Sequence, residues 1–149
     1  MRVVVQRVDG ATVRVDDRVV SKIGKGIVVF LGIEKGDSEK DADYLLDKVI
    51  TLRIFEDSDG KMNLSLFDVS AEMLVISQFT LLADCRKGRR PSFIRAENPE
   101  HAKTLYDYFI SRGRIALERV EGGEFQAMMN IVMVNDGPVT MLLDSRKVF

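Results

Sequence analysis

Between Ala11 and Val15 apolar and polar residues alternate, Ala11, Val13 and Val15 against Thr12 and Arg14, which is the period of a half-buried strand. Arg2–Val8 before it, and Val19–Ile23 and Ile27–Ile33 after it, are rich in Val and Ile and are separated by Asp16-Asp17 and Gly24-Lys25-Gly26. Short β-rich runs punctuated by turn residues predict an antiparallel meander. The period then changes. Behind Ser38, the residues Ala42, Leu45, Leu46, Val49 and Ile50 fall on one helical face, and Ser38 and Asp41 stand at capping-box spacing. Arg53–Phe55, Asp57–Gly60 and Asn63–Leu66 follow as strand, turn and a second extended segment.

Glu72–Leu82 is mostly apolar and reads as a buried strand running into the basic, irregular segment Cys85–Pro91. Asn98-Pro99 supplies an N-cap and a first-turn proline, with Ala102, Leu105, Tyr106, Phe109 and Ile110 as the helical face behind it. Gly122-Gly123 breaks the chain. Phe125–Asn135 is apolar on both alternating sets, the pattern of a strand covered on both faces. Asp136-Gly137-Pro138 is then expected to turn it into a last strand, Val139–Leu143. Many strands and two helices with no linker or repeat predict a single α+β domain, residues 1–149, with an antiparallel or mixed sheet forming a barrel-like core flanked by the helices.

Composition changes this picture little. The chain has 149 residues, 46% of them hydrophobic and 30% charged, ordinary for a globular domain and unlike a disordered, fibrous or disulfide-scaffold chain. No apolar run is long enough to cross a bilayer as a helix. The one cysteine, Cys85, cannot pair internally, so a reducing, cytoplasmic setting is expected. A formal net charge of −1 excludes a polycationic nucleic-acid coat. The charge is uneven, however: Arg86, Lys87, Arg89, Arg90 and Arg95 face the single acid Asp84 between positions 84 and 95. That segment is either a solvated loop or a docking surface for phosphates.

Most catalytic kits fail. The only histidine, His101, falls in the first turn of the second expected helix, where nothing local marks it as a base. Cys85 beside Arg86 and Lys87 lacks a marked partner base. Asp57-Ser58-Asp59-Gly60 carries Leu66 where a calcium loop needs its bidentate Glu, so no metal site is expected. Two segments stand out instead. Ser77-Gln78-Phe79-Thr80 interrupts a buried strand with polar groups where it spills into the basic loop. In Asn135-Asp136-Gly137-Pro138-Val139-Thr140 the proline removes a ladder donor, so this is either a plain hairpin turn or a segment holding a cis peptide.

These two segments resemble the two signature motifs of the D-aminoacyl-tRNA deacylases, first described as D-tyrosyl-tRNA deacylases. The resemblance runs the length of the chain through Val5-Gln6-Arg7-Val8, Arg53-Ile54-Phe55, Gly60–Leu64, Arg90-Pro91-Ser92-Phe93 and Leu105–Phe109. A sibling class that edits L-alanine on tRNA carries Pro-Gln-Ala-Thr at the first motif, so Ser77-Gln78-Phe79-Thr80 sides with the D-specific class. The resemblance implies a homodimer without cofactor that cleaves the ester joining a D-amino acid, or misattached glycine, to the terminal adenosine of tRNA. It implies a cis Gly137-Pro138 bond reaching into the partner subunit's site, where two carbonyl oxygens hold the substrate ammonium and Arg7 fixes their orientation. Ser77, Gln78, Phe79 and Thr80 would form the wall under the scissile ester. Phe125 and Met129 match positions near the terminal adenosine. No role is implied for Asp144–Phe149.

An aminoacyl ester is already activated, so its hydrolysis needs position and charge stabilisation more than a strong base. An oxyanion donor at the Phe79 and Thr80 N–H groups would be worth about 10²–10³ in rate. Whether Thr80 attacks, orients water or packs stays open at this stage. Gripping the ammonium and the ester leaves a D side chain in the open and drives an L side chain into the Gly137-Pro138 element, which is selection by steric exclusion. Two other classes compete: a non-catalytic tRNA-binding module docking through Arg86, Lys87, Arg89 and Arg90, and a thiol hydrolase built on Cys85 and His101.

Overall fold

One long strand organises the molecule. In the computed structural model, which describes residues 1–148, β1 spans Arg2–Val15 without a break, so the two short strands expected there are a single strand. Along one edge its first half pairs antiparallel with β3 (Gly26–Gly32) and its second half with β2 (Arg18–Ile23). β3 therefore lies beside β1 rather than beside β2, and the expected meander is replaced by the order β2-β1-β3. Gly24-Lys25-Gly26 carries the chain across instead of closing a simple hairpin.

β3 pairs parallel with β6 (Glu72–Ser77), and β6 pairs parallel with β7 (Val120–Gly122). The start of β3 needs a glycine, since a Cβ on Gly26 would fall 1.9 Å from the Glu72 carbonyl oxygen. The sheet curls until β2 reaches the far strands, where Arg119 Nη2 donates to the Lys22 carbonyl at 2.9 Å. The result is a nearly closed, barrel-like mixed sheet. A short pair, β4 (Phe55–Glu56) and β5 (Met62–Leu64), stands apart from it.

The helices form where the 3.6 period places them. α1 is Glu39–Thr51, begun by the Ser38 N–H donating to the Asp41 carboxylate at 2.9 Å. α2 is Pro99–Ala116, with the Asn98 side chain accepting from the His101 N–H at 3.0 Å. Ala42, Leu45, Leu46 and Val49 of α1 pack with Leu105, Tyr106, Phe109 and Ile110 of α2 over the face of the sheet carrying Val3, Val5, Val29 and Val75. Tyr106 Oη also donates to the Val75 carbonyl at 2.9 Å, and its burial pushes the phenol well above its ordinary pKa. A second apolar cluster, Val8, Ala11, Val13, Ile23, Val28, Leu74 and Ile76, fills the curl of the sheet.

β8 runs from Asn130 to Asp144 and pairs antiparallel with β1 on its other edge. The expected hairpin at Asp136-Gly137-Pro138 is absent: the chain continues in one direction on both sides of it. Gln6 faces Thr140 and Val8 faces Asn135, so the single residue Arg7 stands opposite the four residues Asp136–Val139, a large bulge. The expected cover on both faces is absent too. Ile131, Met133, Met141 and Leu143 pack inward, whereas Val132, Val134 and Leu142 are 58–61% exposed.

Candidate active site

β6 ends earlier than a continuous apolar run to Leu82 predicts. After Ser77 the Gln78 N–H makes a last bond to the Leu31 carbonyl at 2.8 Å, and Phe79–Leu82 then close into a single 3₁₀ turn. Only Leu82 of that turn is fully buried, which is why the chain leaves the sheet here. The turn lifts Ser77, Gln78, Phe79 and Thr80 onto the wall of a cleft of about 680 Å³. The ends of β3 and β6, the first turn of α2 and the segment from Phe125 to Ile131 complete it. Phe125 and Met129 thus line the same cavity as the first motif.

Within the wall the Gln78 Nε2 amide donates to Thr80 Oγ1 at 2.5 Å. An amide that donates its N–H leaves the hydroxyl proton of Thr80 free for another acceptor. The first N–H groups of a 3₁₀ turn also have no partner within it. Phe125 is held by a tilted ring contact with Tyr106, centroids 5.7 Å apart. Met129 packs where a side chain on Gly123 would collide, 2.6 Å from its Sδ.

Several lining groups carry no signal in the sequence. Ala96, Glu97, Pro99 and Ala102 reach the cleft because the segment before α2 is sewn to the end of β3: Glu97 N–H donates to the Ile33 carbonyl and Lys35 N–H to the Arg95 carbonyl, both at 3.0 Å. Glu97 is the only carboxylate among the described lining residues. The Asn98 N–H donated to it holds its carboxyl below the usual range, so it is ionised at neutral pH.

The second motif lies elsewhere on the same chain. Gly137 and Pro138 do not line the cleft; both are exposed, and the peptide between them is cis. Arg7, 5% exposed, sits beneath the bulge, its Nε 2.8 Å from Asp136 Oδ2 and its Nη1 donating to the Ile54 carbonyl at 2.5 Å. Gly137 has φ +115°, and a Cβ there would meet Val139 N at 3.0 Å and Arg7 Nη2 at 3.2 Å. Only glycine satisfies both the backbone and the space.

The basic loop follows the 3₁₀ turn and is closed by paired bonds between Asp84 and Ser92, 2.8 and 3.0 Å. Two of its cations are already engaged. Arg86 forks onto Asp84 through Nε at 2.9 Å and Nη2 at 2.6 Å, which holds the Asp84 carboxyl far below its ordinary range. Arg95 pairs with buried Glu34 at 2.5 Å. Lys87, Arg89 and Arg90 are exposed and carry no ion pair among the described residues. Cys85 is exposed on this loop and His101 on α2, and neither lines the cleft. Among the described residues no cluster of three His, Cys, Asp or Glu is placed to hold a metal ion.

The profile of the D-Tyr-tRNA(Tyr) deacylase family matches residues 4–144. A D-aminoacyl-tRNA deacylase of Syntrophus aciditrophicus strain SB is 65% identical over 149 residues, the whole of both chains. One from Clostridium tetani strain Massachusetts / E88 is 57% identical, again over the whole of both. Both alignments include the C-terminal residues beyond Asp144. The solved structure of a c-Myc DNA unwinding element binding protein superposes with a TM-score of 0.92 at 40% identity, covering 97% of this chain and 98% of that one.

Proposed function

The chain belongs to the D-Tyr-tRNA(Tyr) deacylase family, and from that membership we propose how it cleaves D-aminoacyl-tRNA and so proofreads the handedness of the amino acid. One observation carries the assignment of residues: Ser77–Thr80, Phe125 and Met129, far apart in sequence, line a single cleft. The terminal adenosine lies against Phe125 and Met129, and the ester lies along residues 77–80. Water attacks the ester carbonyl carbon, the bond to the ribose oxygen breaks, and that oxygen leaves with a proton as the free hydroxyl. Charge developing on the carbonyl oxygen is met by the opening N–H groups of the 3₁₀ turn at Phe79 and Thr80. Thr80 orients rather than attacks: its oxygen accepts the Gln78 amide, and among the described residues its hydroxyl is not hydrogen-bonded to a base.

Chirality is set by a second copy of the chain. The Gly137-Pro138 bulge of one protomer enters the cleft of its partner, and its main-chain carbonyl oxygens take the α-ammonium. Arg7 holds the bulge in place through Asp136. A D side chain then projects outward, an L side chain meets the bulge, and glycine passes because it has none. The apolar outer row Val132, Val134 and Leu142 supports this homodimer, since exposed apolar strand faces of this kind mark association surfaces. Lys87, Arg89 and Arg90 take tRNA phosphates. The reaction belongs in the cytoplasm, where aminoacyl-tRNA is used.

Paired hydrolysis of D-Tyr-tRNA and L-Tyr-tRNA tests the reading. The D ester should be released and the L ester left largely intact; equal rates, or binding without turnover, would refute it.

A further inference from the structure

Between the cleft and the cationic loop the surface carries three apolar side chains that the chain leaves partly or largely in solvent: Phe79 is 58% exposed, Phe93 37% and Ile94 77%. They are not loose. Phe93 meets Phe79 edge to face, with centroids 5.0 Å apart and planes at 68°. Ala96 N–H closes a turn on the Phe93 carbonyl at 3.0 Å. The turn is fixed on one side by the Asp84–Ser92 bonds and on the other by the Glu34–Ala96 bridge, and buried Glu34 grips Arg95 inside it. A rigid turn that displays an aromatic ring and an isoleucine to water is a platform, and platforms of this kind stack unpaired bases.

The position of the platform identifies its occupant. Phe79 and Ala96 belong to the cleft wall, so the platform continues the cleft outward, and Lys87, Arg89 and Arg90 stand on the loop that Asp84 and Ser92 close immediately before Phe93. A single strand leaving the cleft passes an apolar shelf and then positive charge, in the order base then phosphate. Resting on the function proposed above, we propose that Phe93 and Ile94 form a subsite for the base of the nucleotide immediately preceding the terminal adenosine. The neighbouring cations take the phosphates on its 5′ side. The subsite reads an unpaired, flexible 3′ end rather than a sequence, because every base offers a face to an aromatic ring.

The test uses D-Tyr-tRNA with either the natural penultimate nucleotide or one lacking its base, each with the full-length wild-type protein, Phe93→Ala and Phe93→Tyr. In the wild type, removing the base should lower kcat/KM about tenfold, within the range of base–aromatic stacking. In Phe93→Ala the two substrates should differ by less than about twofold, and Phe93→Tyr should restore the difference. The ratio within each protein cancels any general loss of activity. A wild type indifferent to the missing base, or a Phe93→Ala variant that keeps the full ratio, would overturn the subsite. So would a Phe93→Ala variant that sediments at a different mass from the wild type, since the shelf would then be a contact between chains. Failure to cleave any D-Tyr-tRNA would instead remove the function on which the subsite rests.

Discussion

The two motif regions differ in what each can do alone. Ser77–Thr80 is built inward: a strand end and a 3₁₀ turn are locked to β3, and the cleft they line is closed by the same chain. Asp136–Val139 is built outward: a bulge on β8 is held from below by Arg7 but stands clear of its own chain's cleft, with Pro138 in solvent. One region is a finished surface and the other is a projection without a receptor in its own chain. On the function proposed above, a chemistry that needs both is divided between two copies, and the division can be tested from either side.

The largest effect should come from separating the copies. Val132→Glu with Leu142→Glu places charge on the outer row of β8 without touching the cleft. Sedimentation should fall from twice the mass of one chain to one, and D-Tyr-tRNA hydrolysis should drop below about 1% of wild type through loss of positioning. A fully active monomer would end the shared-site view. Next comes Gly137→Ala, which forces a side chain into a positive φ and against Arg7. It should cost about 1–3 kcal/mol of stability and about 10²-fold in kcat/KM, measured by thermal melting and by single-turnover hydrolysis. Retention of wild-type rates would show that the bulge does not meet substrate.

Thr80→Val sharpens the inward side. An orienting hydroxyl should be worth about tenfold in kcat, below the value of a full oxyanion donor, whereas loss of a true nucleophile costs on the order of 10⁶. The smallest effect should follow Arg89→Glu with Arg90→Glu. At moderate salt tRNA binding should weaken severalfold. The slope of log affinity against log salt should shrink by about 0.7 for each single-strand phosphate that is no longer neutralised. An unchanged slope in a titration would move the phosphates elsewhere.

Much of the fold is legible in the sequence where the signal is local. Ser38 and Asn98 announce their helices because capping chemistry lies within three residues of the cap, and the 3.6 period behind each is regular. Elements that depend on distant partners are not legible in the same way. Asp-Gly before a proline looks the same in a hairpin as in a bulge. Only the passage of β1 along both sides of it, with Arg7 opposite four residues, decides between them. The apolar alternation from Phe125 to Asn135 suggests burial on both faces, yet the outer row is left bare by this chain. The cationic run is visible in the sequence, and so is Asp84 two residues from Arg86. The pairing of Arg95 with Glu34, 61 positions away, is not. Glu97 reaches the cleft through bonds to the end of β3 that no spacing encodes.

The bulge is tethered to the β1 ladder before Asp136 and after Val139, like a bracket rather than a flap. Docking into another molecule therefore freezes few additional torsions, and the penalty that usually accompanies ordering a loop on contact is already met during folding. On the proposed reading, discrimination by such a bracket is a property of shape present before the RNA arrives. It should vary little with temperature, in contrast to a gate that must close around each substrate.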